Sequence, residues 1–239
     1  MVSDEAMADM GASAFAQMRQ EQTINYDGHT NDYVTCVANA ITRQLPEQYA
    51  GLDWEVVVFD DESANAFALP GGKIGVHTGM LGVAENQGQL ATVIGHEVAH
   101  VVARHGAERY SQQLAAAGAS TAAAVAVGSN ASTTEQVAIA ALGIGITYGI
   151  LMPYSRTQES EADQLGLDYM AAAGFDPTQS VILWRNMGAA GGAQPPEFLS
   201  THPSHNTRIR NLQDWMGRAQ RAQGLAHAAG RRPDCETQP

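Results

Sequence analysis

The sequence predicts an α+β fold that is mostly helical, and three observations lead to this prediction. The chain has 239 residues, of which 44% are hydrophobic, so it can bury a sizeable core. Strand-like patterning is confined to residues 54–77, and helical patterning lies on both sides of it. We find no internal repeat and no linker between two cores. The sequence therefore predicts a single domain over residues 1–239.

Residues 1–50 are predicted to form two N-terminal helices. Apolar side chains recur on one face of Asp4–Gln20 and again on one face of Asn31–Leu45, as amphipathic helices require. The second helix should end at Pro46, because proline lacks the backbone N–H that the next helical turn needs.

A small sheet is predicted over residues 54–77. The run from Trp54 to Phe59 is rich in β-branched residues, which favours a buried strand. The turn sequence Pro70-Gly71-Gly72 separates Asn65–Leu69 from Lys73–His77, so we expect these two segments to form a β-hairpin.

Residues 86–223 are predicted to form a helical core, followed by a polar tail over residues 224–239. Within the core, residues 114–152 are apolar but diluted by alanine and glycine. A membrane span needs about 20 consecutive apolar residues. We therefore expect residues 114–152 to form an apolar helical hairpin that turns at Gly128–Asn130, with superficial contact to a membrane as the alternative.

Charge and cysteine content exclude some classes of protein. The formal net charge is −12, and the arginines between residues 208 and 232 are spread around a predicted helix and a tail. We therefore predict no nucleic-acid partner. Cys36 and Cys235 belong to no CxxC pair, which disfavours a thiolate zinc site. They form either one bridge that ties down the polar tail or two unrelated thiols.

The segment His96-Glu97-Val98-Ala99-His100 carries the chemistry of this sequence. It lies within Gln89–Ala103, whose apolar content and length predict a buried helix. Histidines four positions apart project about 40° from each other around a helix, so both imidazoles can bind one cation. Neutral imidazole is a good zinc ligand, and Glu97 can accept a proton from an attacking water. Burying these side chains without a partner would be costly, and a metal supplies one.

A third ligand must come from another part of the chain. His105 follows His100 by five residues, whereas the HExxHxxGxxH pattern requires six. A continued helix would place His105 half a turn around from His96. We therefore predict that His105 is a histidine at a helix end and not a ligand.

Glu159 is the better candidate for the third ligand. Residues 155–158, Ser-Arg-Thr-Gln, match a capping box and predict the start of a helix. Glu159 and Asp163 then lie one turn apart on one face, whereas Glu161 points away and is expected to be solvated. Asp163 can accept the N–H of a ligating histidine. A solvated acidic helix face fits the same spacing.

The string Ser155-Arg156-x-x-Glu159-x-Glu161-Ala162-Asp163-x-x-Gly166 resembles the second signature of the HtpX/Oma-type gluzincin metallopeptidases, the family that includes the CAAX prenyl proteases. The BepA- and LoiP-like periplasmic branch of this family has three further blocks that are also present here in the same order. They are the hairpin at residues 65–72, the HExxH helix with Gly95 before it, and Thr201-His202-Pro203 followed by Arg208-Ile209.

This resemblance implies a zincin-like core and a zinc-dependent endopeptidase. One Zn²⁺ per chain would be bound by His96, His100 and Glu159. Glu97 would be the general base, and Asp163 would orient a ligating histidine. Asn65, Ala66 and Phe67 would form an edge strand that holds a peptide in an extended conformation, although an ordinary strand fits the same residues.

The resemblance also implies roles for His202 and Arg208. In the BepA-like branch the corresponding histidine can become a fourth zinc ligand that displaces water, which gives a latent enzyme. Alternatively, His202 stabilises the oxyanion of the tetrahedral intermediate or is a surface histidine. Arg208 would anchor this loop or contact the oxyanion.

The expected substrates are unfolded or misassembled envelope proteins. A zinc-bearing chaperone or assembly factor with little proteolysis is the main alternative, and a membrane-embedded peptidase with spans in residues 114–152 is another. The resemblance implies a periplasmic protein that is lipid-anchored or peripherally associated with the outer membrane. The start at Met1 has no secretion signal, so a cytoplasmic protein or a trimmed mature form is expected from the residues alone.

Overall fold

The computed structural model describes residues 2–126, 154–190, 197–202 and 206–235. Its helices are α1 (Asp4–Glu21), α2 (Gly28–Thr42), α3 (Glu47–Ala50), α4 (Thr78–Val83), α5 (Gln87–Val102), α6 (His105–Ala126), α7 (Arg156–Ala173), α8 (Thr178–Ala190), α9 (Glu197–Thr201) and α10 (Asn206–Ala228). Its strands are β1 (Glu55–Phe59), β2 (Ala66–Leu69) and β3 (Lys73–His77). The predicted class, a mostly helical α+β fold, is confirmed.

The three strands form one small sheet in the order β1-β3-β2. Strand β1 runs parallel to β3, and β2 runs antiparallel to β3 as the predicted hairpin requires. The turn between β2 and β3 contains Gly71 with φ 85° and Gly72 with φ 76°, a left-handed conformation that suits glycine. Strand β2 therefore stands at one edge of the sheet, beside α5.

Helix α5 lies at the centre of the fold and is buried continuously from Gly88 to Val101. It packs against α7, α2, α8 and strand β2. The closest approach to α7 is at Gly95 and Gly166, where an added Cβ on Gly166 would lie 2.8 Å from the carbonyl carbon of Gly95. The absence of side chains at these two positions lets the helices cross in backbone contact.

The bounds of two predicted segments differ from those observed. Helix α2 begins at Gly28 instead of Asn31, because the Asp27 side chain accepts a hydrogen bond from the backbone N–H of Thr30 and caps the helix. Of the predicted hairpin over residues 114–152, the described part belongs to α6, and the rest, with its turn at residues 128–130, lies outside the described residues. Among the helices described, none is both long and apolar enough to cross a membrane.

Cys36 on α2 and Cys235 after α10 form a disulfide. The sequence was compatible with either a bridge or two free thiols, and the structure shows the bridge. Residues 224–228 of the predicted polar tail belong to α10. After the helix, the Arg231 side chain donates a hydrogen bond to the carbonyl oxygen of Ala172, which holds the chain end against α7.

Candidate metal centre

Helix α5 presents the HExxH segment inside the protein. The Asn86 side chain accepts a hydrogen bond from the backbone N–H of Gln89 and fixes the start of the helix. The exposed fractions of His96, Glu97 and His100 are 2%, 4% and 2%. Polar side chains buried this deeply need partners, and the neighbouring elements supply them.

Helix α7 places two acids against α5. The predicted capping box is present, with Ser155 accepting from the backbone of Gln158 and Gln158 accepting from the backbone of Ser155. Glu159 and Asp163 follow one turn apart and are both buried. An oxygen of Asp163, Oδ1, lies 3.0 Å from Nδ1 of His96, so the carboxylate can fix the tautomer of that ring.

Four side chains each place one donor atom within 4.8 Å of the others: His96, His100, Glu159 and His202. Nε2 of His96 lies 3.1 Å from Nε2 of His100 and 3.2 Å from Nδ1 of His202. Oε1 of Glu159 lies 2.9 Å from Nδ1 of His202 and 3.6 Å from Nε2 of His100. Neighbouring donors in a tetrahedral zinc site with bonds of about 2.0–2.2 Å are separated by about 3.3–3.6 Å. The four distances between these donors, 2.9–3.6 Å, reach this separation or fall somewhat below it, so the four donors can converge on one divalent cation.

Two buried carboxylate oxygens support this fit. Oε1 of Glu97 and Oε2 of Glu159 have no hydrogen-bond partner among the described residues. Charged groups do lie near them, since NH1 of Arg208 is 2.5 Å from Oε2 of Glu159 and forms an ion pair without hydrogen-bond geometry. Buried carboxylates beside three imidazole nitrogens offer the oxygen and nitrogen donors that a cation needs.

His202 contacts Glu97, the predicted general base, as well as the other metal donors. Its Nδ1 faces Glu159, and its Nε2 lies 3.3 Å from Oε1 of Glu97. The ring stacks on Phe198, with ring centroids 4.5 Å apart, which fixes its orientation. The structure thus places His202 at the fourth donor position and in contact with the predicted general base.

Arg208 contacts both acids of α7 and the ring of His96. Its guanidinium donates to both oxygens of Asp163, at 2.6 Å and 2.5 Å. It also contacts Glu159 and lies over the Trp184 ring at 3.7 Å from the centroid. NH1 lies 3.5 Å from the carbonyl oxygen of His202. These contacts fit the anchoring role, while NH2 also lies 3.5 Å from Nε2 of His96, so contact with an oxyanion stays a prediction.

The pKa values of the buried groups differ according to their neighbours. Burial raises the pKa of Glu97, which suits a group that must accept a proton. Burial also raises that of Asp163, but the charge of Arg208 and hydrogen bonds from His96 and Arg208 outweigh it and lower the pKa to about 2. Burial, and to a smaller extent the neighbouring histidines and Arg208, lower the pKa of His100, which favours the neutral imidazole that a metal needs.

Two expectations about residues near the site need correction. His105 does stand at a helix end, but at the start of α6 and not at the end of the HExxH helix: α5 ends at Val102, and Arg104 turns with φ 60°. This turn brings Nδ1 of His105 to 2.9 Å from Nδ1 of His100. Glu161 is exposed but is not simply solvated, since its Oε2 lies 3.3 Å from Nε2 of His105. His105 is not among the four donors, as predicted.

Tyr154 is a residue of the site for which the sequence carried no signal. Its ring stacks on His100 with centroids 3.8 Å apart and lies 5.4 Å from the ring of His202. Arg109 covers the same ring at 4.2 Å. Tyr154 stands immediately before the capping box, so only the tertiary fold brings it to the histidines.

The predicted substrate-binding residues lie on the sheet edge beside α5. Asn65 precedes β2, and its carbonyl oxygen accepts a hydrogen bond from the backbone of His77. Ala66 is buried, and Phe67 packs with Phe15 and Phe59 in a separate small core. The structure therefore brings the backbone of this strand near α5 but directs the Phe67 side chain away from the donors.

An apolar cavity of ≈ 310 Å³ adjoins the site. It lies between α1, β2 and the end of α5, and its lining includes Met7, Met10 and Leu69. His100 and Tyr154 line the same cavity. A small apolar side chain or ligand could therefore bind directly beside the second histidine.

A buried HExxH helix whose histidines meet a glutamate from a second helix is the arrangement expected of a gluzincin-type metallopeptidase. Residues 29–216 match peptidase family M48, and the chain belongs to this family. It is similar to the mitochondrial metalloendopeptidase OMA1 of Schizosaccharomyces pombe, with 39% identity over 71% of this chain and 48% of the relative.

Two further relatives extend the comparison. The mitochondrial metalloendopeptidase OMA1 of Arabidopsis thaliana is 35% identical over 89% of this chain and 40% of the relative. The β-barrel assembly-enhancing protease of Yersinia pestis is 26% identical over 88% of this chain and 44% of the relative. The predicted resemblance to Oma-type and BepA-like metallopeptidases is confirmed. The chain spans less than half the length of these three relatives.

Proposed function

We propose that this protein is a zinc-dependent endopeptidase that hydrolyses peptide bonds of unfolded or misassembled envelope proteins and is held latent by His202. The observation that carries the proposal is the convergence of four buried donors, all within 4.8 Å of one another, at the HExxH helix. The name of the Yersinia relative, a β-barrel assembly-enhancing protease, supports envelope substrates.

Zinc is the metal that the donor set favours. Three imidazoles and one carboxylate match the ligands of zinc sites, whereas magnesium and calcium prefer oxygen donors alone. His96, His100 and Glu159 would hold the ion. When bound with an open coordination position, zinc supplies Lewis acidity that lowers the pKa of a water and polarises a carbonyl.

Glu97 is placed to move the protons of the reaction. Its carboxylate is buried beside the donors, and the raised pKa matches a group that accepts a proton from the attacking water. The same carboxyl can then donate this proton to the amine that leaves. Asp163 and Arg208 keep the His96 ring and the Glu159 carboxylate in position for this step.

A protein substrate would bind along β2. An extended chain can add to the edge of a sheet through backbone hydrogen bonds, which accept any sequence. The edge begins next to Ala64, whose carbonyl oxygen accepts a hydrogen bond from the backbone N–H of Phe198 on α9. The segment that carries His202 therefore lies against the start of the proposed substrate strand.

Latency follows from the two contacts of His202. Nδ1 takes the fourth donor position, and Nε2 lies beside the Glu97 carboxylate, so one ring blocks both the water position and the base. Activation would require α9 and His202 to move away together. An open state populated at about 0.1–10% would give the unchanged chain a low basal activity.

The test is cleavage of casein by the zinc-loaded chain and three variants. Glu97→Gln should retain one zinc and lose about 100-fold or more of the cleavage rate, because the amide cannot accept the proton. His202→Ala should cleave about tenfold faster or more, because the open state becomes the main one. His227→Ala is the matched control, since His227 bonds to Gly174 far from the donors, and should cleave like the unchanged chain.

Equal cleavage by Glu97→Gln and the unchanged chain would overturn the peptidase assignment. No cleavage by either Glu97→Gln or His202→Ala, with zinc bound, would favour the zinc-bearing chaperone. That alternative is supported by the same blocked geometry and would be tested by suppression of aggregation of an unfolded protein.

We also propose a periplasmic location with lipid anchoring to, or peripheral association with, the outer membrane in the full-length protein. The Cys36–Cys235 disulfide supports an oxidising compartment. Cell fractionation with thiol labelling tests this proposal, and recovery of the protein with reduced thiols in the cytoplasm would contradict it.

A further inference from the structure

We propose that His105 and Glu161 form a hydrogen-bond relay that fixes the tautomer of His100 and thereby strengthens metal binding at the other nitrogen of its ring. The inference rests on the proposed metal site and assigns positioning roles to two residues outside the donor set. The evidence for this inference is a series of short distances that runs from the metal donors through His100 and His105 to Glu161.

The two ring nitrogens of His100 face different neighbours. Nε2 faces the donors, at 3.1 Å from Nε2 of His96. Nδ1 faces away from them and lies 2.9 Å from Nδ1 of His105. Nε2 of His105 in turn lies 3.3 Å from Oε2 of Glu161. The line therefore runs from the metal donors through two imidazoles to an acid at the surface.

One arrangement of protons satisfies every contact in this line. An imidazole that binds a metal through Nε2 carries its proton on Nδ1. His100 must therefore donate from Nδ1, and His105 must accept at its own Nδ1. A neutral His105 then carries its proton on Nε2, where the Glu161 carboxylate accepts it. Glu161 thus favours the tautomer of His105 that His100 requires.

The alternative tautomer would oppose metal binding. If the proton of His105 were on Nδ1, two N–H groups would face each other at 2.9 Å unless His100 moved its own proton to Nε2. That proton would occupy the lone pair that the metal needs. The carboxylate at the end of the line disfavours this state, because it would leave Nε2 of His105 as an acceptor facing an acceptor.

The backbone is built to make this contact. Arg104 adopts φ 60°, which is uncommon for a residue with a side chain, and this turn folds His105 back onto α5. NH2 of Arg104 lies 2.7 Å from Oδ1 of Asp4 and donates to the carbonyl oxygen of Val2. Contacts with the start of the chain therefore hold the turn in place.

Each histidine of the HExxH segment has a hydrogen-bond partner at Nδ1 that is an acid or leads to one. Asp163 contacts Nδ1 of His96 directly, at 3.0 Å. His105 contacts Nδ1 of His100 and connects it by hydrogen bonds to the carboxylate of Glu161. Outer contacts of this kind change metal affinity by about 10–100-fold when removed. The Glu161 side chain is 56% exposed, so it can be replaced without opening the core.

The test measures the zinc affinity of Glu161→Gln and Glu161→Leu by competition with a chromogenic chelator. Glutamine can still accept from His105 but is neutral, whereas leucine cannot accept at all. We expect the dissociation constant to rise about tenfold for leucine and less for glutamine. Asp168→Leu is the matched control: it removes a part-exposed acid of α7 that pairs with Arg218, and should leave the affinity within about twofold.

A second readout follows the tautomer itself. In zinc-loaded chain with ¹⁵N-labelled histidine, the proton on Nδ1 of His100 should give a protected NMR signal with a coupling to the acceptor. The signal should persist in Glu161→Gln and broaden or disappear in Glu161→Leu. His105→Asn, which can keep an acceptor near Nδ1 of His100, should bind zinc more tightly than His105→Phe.

Equal zinc affinity and an unchanged histidine spectrum in Glu161→Leu would overturn the relay. This outcome differs from failure of the proposed function. In that case the unchanged chain itself would bind no zinc, and the relay would fall with it. A chain that binds zinc but cleaves no substrate would leave the affinity ranking to decide for or against the relay.

Discussion

Arg208 shows, at the scale of a single residue, how a cluster of buried acids can be stable. Its exposed fraction is 4%, and its guanidinium contacts the carboxylates of Asp163 and Glu159. Burial lowers the pKa of an arginine, but the two acids outweigh this and raise that of Arg208, so it stays charged. The pair with Asp163 is bidentate, the geometry that favours arginine over lysine.

Replacing Arg208 by methionine tests this role. Arg208→Met keeps much of the volume but leaves buried acids without their cation, which costs about 3–5 kcal/mol. We expect the larger loss of unfolding free energy in metal-free protein and a smaller loss with zinc, because the ion would offset the charge of Glu159. Urea denaturation of both forms measures this difference.

Arg218→Met is the control for this prediction. Arg218 pairs with Asp168 at 3.0 Å, but both side chains are more than one third exposed. An exposed pair contributes about 0–1 kcal/mol, so its loss should be small and independent of zinc. Equal losses for the two variants would show that Arg208 acts as packing volume alone.

At the scale of elements, the crossing of α5 and α7 sets the position of Glu159 relative to the two histidines. The helices touch at Gly95 and Gly166, and an added Cβ on Gly166 would lie 2.8 Å from the backbone N of His96. This contact is with backbone, so no side chain can move aside to relieve it. The distance between the helices is therefore coupled to the metal donors.

Gly166→Ala should separate the two helices and disturb the site. We expect a loss of about 1–3 kcal/mol in unfolding free energy, as for overpacking of a core. Zinc affinity should fall as well, because Glu159 lies on the helix that must shift. Chemical denaturation and chelator competition on the same samples measure both effects.

Gly188→Ala provides the matched helical control. No atom lies within 4 Å of the position that its Cβ would take. Alanine is the better helix former, so this variant should be as stable as the unchanged chain or up to about 1 kcal/mol more stable. If Gly166→Ala behaved like Gly188→Ala, backbone contact between α5 and α7 would not control the site.

The sequence predicted the elements that carry local signals. The capping box at residues 155–158 located α7, the periodicity around His96 located α5, and Pro70-Gly71-Gly72 located the hairpin. From these, the convergence of His96, His100 and Glu159 could be expected. The helical spacing alone could not separate a ligand acid from a solvated one, and the family resemblance made that choice.

Other features depend on contacts that no local pattern encodes. The position of His105 follows from the left-handed conformation of Arg104, a residue that seldom adopts it, so the contact between His105 and His100 could not be expected from the sequence. Tyr154 reaches the site because α6 and α7 pack on α5, and Arg208, which only the family resemblance named, reaches it because α10 packs on α7. Tertiary packing of this kind has no signature in a window of neighbouring residues.

At the scale of the whole molecule, the disulfide closes the fold. Cys36 and Cys235 are 199 residues apart in sequence, and Cys235 is 1% exposed. The backbone N–H of Cys235 donates to the side chain of Gln87 at the start of α5. The bridge therefore ties the chain end, which follows α10, to α2 and to the HExxH helix.

The Cys36–Cys235 bridge should contribute to the stability of the whole fold. A cross-link over so long a loop restricts the unfolded chain, with an upper bound of roughly 5 kcal/mol on loop-entropy grounds. We expect the Cys36→Ser, Cys235→Ser double variant to lose about 2–5 kcal/mol in unfolding free energy. Zinc affinity should change less than about twofold, because Arg208 holds α10 to α7 independently of the bridge.

Urea denaturation with and without reductant separates the alternatives: reductant should lower the stability of the unchanged chain to that of the variant and leave the variant unaffected. An unchanged chain that is insensitive to reductant would mean that the two thiols do not pair in solution, and a large loss of zinc affinity in the variant would mean that the bridge, rather than Arg208, positions α10 at the metal site.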